Sequence, residues 1–194
     1  MAKAAPKPKS LKAQITRSSL IIAAAALLRE RGPEAVTYRR VAEWAGAAST
    51  SVGYYFESRA DLLYEAGCYN IDMWIGRAER IAEQAERLGH EKCRARIVEL
   101  LMKACLPDDP ISLSGHYAQL IAAKDAPEVT DAYRKGRKRL DAAVGRLLEC
   151  AGLMLTPTLV SALVDGGAVK AISEGLDVRE TVESLLEAEI ACGS

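Results

Sequence analysis

The stretch that most constrains this chain is residues 37–63, TYRRVAEWAGAASTSVGYYFESRADLL. Thr37 suits the N-cap of a helix over 38–45, where its hydroxyl can accept a free first-turn amide. Val41, Ala42 and Ala45 then share one face at helical spacing. Gly46 suits the left-handed residue that ends such a helix. A second helix is predicted over 49–55. Its buried side is Val52 with Phe56, and Ser49, Thr50, Ser51 and Tyr54 face outward. Small hydroxyl side chains let a helix approach bases and phosphates closely and bond to either. Ser58 and Asp61 form a capping box that opens a third helix. Arg59 sits at that helix N-terminus, where the dipole disfavours a cation, so a phosphate is its expected partner. The order is that of a helix-turn-helix, which lays its second helix in the DNA major groove.

Charge follows the same division. Residues 1–61 hold 10 Lys and Arg against 5 Asp and Glu, whereas residues 62–194 hold 16 against 21. A basic N-terminal third on an acidic body is the footprint of a small DNA-binding head on a larger core. The tail 1–10, with Lys3, Lys7 and Lys9, either tracks phosphates or is a solvated tail. The apolar run 19–28 is too short to span a bilayer and reads as the core helix of the head. The five cysteines, Cys68, Cys93, Cys105, Cys150 and Cys192, are odd in number and scattered. They read as free thiols in a reducing cytoplasm. His90 and Cys93 sit one turn apart without a second matching pair, so no metal and no cofactor is expected.

Beyond the head the pattern is helical. Helices are expected to about 88, over 91–105, 111–124, 127–151, 157–174 and 178–191. Pro107 and Pro110 break the series, and Pro127 and Pro157 open helices. The 157–174 segment is apolar over much of its circumference, with Gly166, Gly167 and Ala168 permitting close approach, as in a helix buried on more than one side. One helix-turn-helix reads one half-site, and specificity calls for two on a palindrome. The chain is therefore expected to form a homodimer through helices 127–151 and 157–174.

The head resembles the TetR family of bacterial transcriptional regulators. The resemblance begins at RSSLIIAAAALLRERG (17–32) and continues through Val36-Thr37, Val41-Ala42, Ala45-Gly46, Tyr55-Phe56, Ser58-Arg59 and Leu62-Leu63. It implies an all-α fold: a flexible basic arm over 1–14, a three-helix DNA-binding head over 15–60, and a larger helical ligand-binding and dimerisation domain over 61–194. It also implies roles. Thr37 binds phosphate, Arg39 points toward a base edge and Arg40 toward the backbone. Ser49, Thr50, Ser51 and Tyr54 supply the recognition surface, Tyr55 touches phosphate, and Arg59 stands where the family usually has a lysine. Gly53 replaces a usual tyrosine, and Ala47-Ala48 replaces a frequent Val-Ser. The second helix is then capped by Ser49 or left less well capped.

The family keeps a ligand cavity in its core, and Tyr69, Trp74, Met102, His116, Tyr117 and Gln119 are the candidate lining residues. The implied partners are double-stranded DNA, a small-molecule effector and a second copy of the chain, with no membrane. The implied activity is ligand-released repression in the cytoplasm. An all-helical enzyme is disfavoured by two histidines without a Ser/His/Asp or Cys/His grouping and by the lack of a Gly-rich phosphate loop. A non-specific architectural DNA-binding protein is the competing reading.

Overall fold

The computed structural model describes residues 10–107 and 110–192, so the lysine-bearing arm over 1–9 lies outside the described residues. The regular elements are α1 (Leu11–Arg31), α2 (Tyr38–Ala45), α3 (Ser49–Tyr55), α4 (Arg59–Leu88), α5 (His90–Ala95), α6 (Ile97–Cys105), α7 (Pro110–Ala122), α8 (Pro127–Ala151), α9 (Pro157–Glu174) and α10 (Val178–Cys192), with 3₁₀ turns at Pro33–Ala35 and Ala123–Asp125. No strand occurs among the described residues. Ser10 caps α1 by accepting from the Ala13 N–H at 3.2 Å. Helix therefore begins within the stretch expected to be arm. The single helix expected over 91–105 is two, because Arg96 leaves helical geometry at φ −120°, ψ 14°.

The chain divides into two compact units. One takes the residues up to Ile71 together with Ala118–Lys135, and the other takes Asp72–Tyr117 and the residues from Gly136 onward. The boundary expected at 60/61 thus falls inside α4. The physical reason is visible in the core of the first unit. Leu20, Ala24, Leu27 and Leu28 of α1 pack with Val41, Val52, Phe56, Leu62 and Leu63, and Ala123, Ala126 and Val129 complete the same cluster. Three short helices cannot cover this core by themselves, so the α7–α8 turn contributes. Gly67 permits the approach: a Cβ there would lie 3.0 Å from the Ala132 Cβ and 3.3 Å from the Val129 Cα. By length and composition α1 could also pass for a membrane span. Its Leu20, Ala23, Ala24, Ala25, Leu27 and Leu28 are instead buried in the fold.

In the second unit, α9 is capped by Thr156, which accepts from the Leu159 N–H at 3.2 Å, and is opened by Pro157. Val160, Val164, Gly167, Ala168 and Ala171 form its buried stripe. Gly167 lies against Val182 and Leu185 of α10, where a Cβ would come within 2.8 Å of a Leu185 methyl. The opposite stripe, Leu159, Ala162, Gly166 and Val169, is exposed. The helix expected to be buried on more than one side therefore buries one face within a single chain.

Candidate DNA-binding head and effector core

The turn between α2 and α3 is built by backbone chemistry. Gly46 adopts φ 64°, ψ 31°, and its N–H bonds the Glu43 carbonyl at 3.3 Å. The Ala47 N–H reaches back to the Ala42 carbonyl at 2.9 Å, which completes a Schellman closure. Thr37 caps α2 as the sequence predicts, accepting from the Arg40 N–H at 3.3 Å. The Tyr38 hydroxyl donates to the Phe56 carbonyl at 3.0 Å and ties the start of α2 to the end of α3. Burial, aided by the Asp61 charge, holds the Tyr38 phenol above its ordinary pKa, so it remains a donor. Val52 and Phe56 are buried beneath α3.

This scaffold leaves a polar face in water. Ser49, Thr50 and Tyr54 are exposed, whereas Ser51 and Tyr55 are half-buried. Tyr54 is 70 % exposed and meets Tyr55 edge-on, with ring centroids 5.0 Å apart. Arg40 is exposed. Arg39 is also exposed and pairs with Glu43 at 3.0 Å across one turn of α2. Ser49 does not cap α3. The cap position is Ala48, which offers no side-chain hydrogen bond. At the next helix start Ser58 accepts from the Asp61 N–H at 3.1 Å, while the Asp61 carboxylate accepts from the Glu57 N–H at 3.3 Å. That is the expected capping box, with its return bond shifted one residue upstream.

Arg59 turns back toward the α1–α2 connector. Its Nε donates to the Val36 carbonyl at 2.9 Å and its Nη2 to the Pro33 carbonyl at 2.6 Å. Glu34 stands 3.5 Å away. The helix dipole disfavours a cation at this position, but the side chain turns away from the helix to clamp the α1–α2 connector. In the DNA-free chain the guanidinium is thus engaged by the connector. The carbonyl partners lie more than twenty residues upstream, beyond what local spacing reveals.

The ligand candidates divide between the units. Tyr69 packs against the core of the first unit. Gln119 belongs there too and accepts from the Tyr133 hydroxyl at 3.2 Å. Trp74, Met102, His116 and Tyr117 belong to the second unit. There Trp74 meets His116 edge-on at 4.6 Å, and His116 meets Tyr117 at 5.0 Å. The second unit adds groups that aromatic content did not single out. The Tyr117 hydroxyl donates to Asp165 at 3.3 Å, and Arg137 lies 3.8 Å from the same carboxylate. Arg77 donates to the carbonyls of Ala104 and Cys105. Burial, with Arg77 and Arg137 adding to it, pushes His116 down to about 4. Burial, with the Asp165 charge adding, pushes Cys105 up to about 12. The signal that marks this cluster in the sequence is Asp165, the one acid in the middle of the apolar 157–174 helix. His90, considered for a metal, pairs its Nδ1 with the Cys150 carbonyl at 2.9 Å.

Residues 20–66, which hold the whole helix-turn-helix, match the family described as bacterial regulatory proteins, tetR family. Over these residues the head is similar to the DNA-binding region of TetR-family regulators. It is 37 % identical over 115 residues to the HTH-type transcriptional dual regulator CecR of Shigella flexneri, a match that covers 54 % of this chain and 51 % of that regulator. The chain thus spans about half the length of this curated relative. Solved structures match along nearly the full chain. A transcriptional regulator from Rhodococcus sp. Rha1 aligns with a TM-score of 0.69 at 24 % identity, covering 91 % of this chain and 95 % of that one. A regulator from Saccharomonospora viridis, crystallised with choline, aligns with a TM-score of 0.69 at 20 % identity over 90 % and 95 %. At these identities the structural likeness shows the fold alone: the chain folds as these helical regulators do. The departures at Gly53 and Ala47-Ala48 fit that fold without strain. A Cβ at Gly53 would meet only the Tyr38 ring edge, at 3.7 Å.

Proposed function

We propose that the chain is a homodimeric transcriptional repressor that binds a palindromic operator and is released by a small-molecule effector. One observation carries the reading: α3 is held by a closed glycine turn with its hydroxyl and tyrosine face in water, on a head with the TetR-family sequence. Such a helix enters the major groove with short donors and acceptors toward base edges. In this proposal Ser49, Thr50, Ser51 and Tyr54 read bases, with Arg39 beside them. Thr37, Arg40 and Tyr55 meet phosphates, which fix register and orientation. Arg59 is left out of the contact set, because its guanidinium is committed to two carbonyls.

Dimerisation is assigned to α8 and α9. The exposed stripe Leu159, Ala162, Gly166 and Val169 supports it, since two such faces can approach closely across the small residues. Effector contact is assigned to the helical core, with Trp74, Met102, His116 and Tyr117 as candidates in the second unit and Tyr69 and Gln119 as candidates in the first. Occupancy shifts the population toward a head separation that no longer matches successive major grooves. α4 is the lever, because it opens in the head and runs on for 30 residues. The protein acts in the cytoplasm, where the DNA is. The test is selection of bound fragments from random DNA at near-physiological salt. A recovered palindrome bound by two chains supports the proposal. Salt-sensitive binding without any motif contradicts it and favours an architectural protein.

A further inference from the structure

A chain of polar side chains, buried at Asn70 and Gln119 and half-buried at Arg29 and Tyr133, runs through the first unit. Arg29 of α1 donates from Nη1 to the Asn70 Oδ1. Asn70, fully buried on α4, donates from Nδ2 to the Ala25 carbonyl of α1 at 3.3 Å. The Asn70 amide is also hydrogen-bonded to the Tyr133 hydroxyl of α8. Tyr133 donates in turn to the Gln119 Oε1 of α7 at 3.2 Å. The run ends at the Gln119 Nε2, which is buried in a side chain only 3 % exposed and finds no acceptor among the described residues. Each donor in the series is polarised by the one before it, beginning with a guanidinium, so the last amide is a strengthened donor. An unmet donor at such depth carries its desolvation cost uncompensated. A residue that wastes this energy within the fold is a natural seat for an acceptor brought from outside.

We propose that the Gln119 side-chain amide is an effector contact that takes a carbonyl or carboxylate oxygen, and that its occupancy is passed through Tyr133 and Asn70 to α1. The inference rests on the effector-responsive reading above and names the ligand chemistry and the route. An oxygen acceptor suits the site better than a cation, because the series starts from the positive Arg29 and offers N–H groups outward. Filling Gln119 Nε2 draws on the Tyr133 bond, and Asn70 holds α1 through the Ala25 carbonyl. The output is therefore the packing of the longest helix of the head.

The chain has three glutamines, Gln14, Gln84 and Gln119. Labelling their side-chain amides with ¹⁵N gives a direct readout that needs no DNA. The full-length protein is titrated with hexanoate and hexanamide, which bring an oxygen acceptor, and with hexylammonium, which has the same length and none. The Gln119 amide protons are expected to move downfield with the first two probes only, while Gln14 and Gln84 stay still. Gln119→Leu assigns the signal by removing it. In Tyr133→Phe the shift persists, but the accompanying change in hydrogen exchange along α1 is lost. No Gln119 shift with either oxygen probe, or an equal shift with hexylammonium, overturns the contact. An unchanged α1 response in Tyr133→Phe overturns the route. Operator binding is measured separately, so failure here is distinguishable from failure of the regulator reading.

Discussion

Replacing Arg59 with alanine separates a structural clamp from a phosphate ligand. The wild-type guanidinium makes two charge-assisted bonds, at 2.9 Å to Val36 and 2.6 Å to Pro33. Hydrogen bonds to charged groups contribute about 1.5–3 kcal/mol each when shielded. The side chain is 41 % exposed, so solvent screening reduces that value. The Pro33 carbonyl also keeps the Val36 N–H at 3.1 Å, so only Val36 loses its partner at a buried position. Together these place the loss at about 2 kcal/mol. For a chain of this length the melting temperature falls by about 2–4 °C per kcal/mol, or about 4–8 °C in all. Arg59→Lys recovers part of the loss, because an ammonium cannot span both carbonyls as a fork does. Glu34→Ala changes little, since the 3.5 Å pair is largely in water. Thermal unfolding followed by circular dichroism reads all three variants. DNA binding over a salt series completes the assay. The clamp predicts an unchanged slope of log affinity against log salt. A phosphate ligand predicts a slope shallower by about one per chain, or about two for the bound dimer, with the melting temperature intact. That second pattern would refute the clamp.

Other consequences follow from the same geometry. Gly46→Ala should cost about 1–2 kcal/mol in urea unfolding, because φ is 64° while the space around the site is open, so the penalty is one of backbone alone. Gly53→Ala should add about 0.5–1 kcal/mol, since it stiffens α3 without a clash. His116, held down to about 4 by burial and by Arg77 and Arg137, makes stability depend on pH. Between about 4 and 6.5 the unfolded chain binds a proton that the folded chain refuses, so stability rises with pH across that window. Acidification from pH 7 to 4 should remove up to about 3 kcal/mol through this group, and His116→Phe should flatten that part of the profile. Among the thiols, exposed Cys192 should react with maleimide first. Cys93, buried and pushed up to about 12 by burial and its contact with Cys150, should react only on unfolding.

What could be read from the sequence was what local chemistry determines. The Thr37 cap, the Gly46 turn, the Ser58–Asp61 box and the proline-opened α8 and α9 depend on partners within a few residues. Periodicity also places Val52 and Phe56 in the core. The carbonyl partners of Arg59 were not legible because they belong to another segment, and a helix-dipole argument describes only the helix that carries it. The start of α3 was left open between a Ser49 cap and a weaker one, and the chain enters that helix at Ala48 with no side-chain cap. The effector set was chosen for aromatic and polar character, which carries no information on which helices come together. Tyr69 and Gln119 consequently fall in one unit and Trp74, His116 and Tyr117 in the other. Asp165, Arg77 and Arg137 went unnoticed because charged residues on long helices usually face water.

The central claim is that the exposed face of α3 reads bases. The most direct measurement is fragment selection from random DNA with wild-type protein and with Tyr54→Ala in parallel. The account predicts a palindrome for the wild type and, for the variant, altered base preference at one position in each half-site with non-cognate affinity retained. An identical motif from both proteins, or no motif from the wild type, would contradict it.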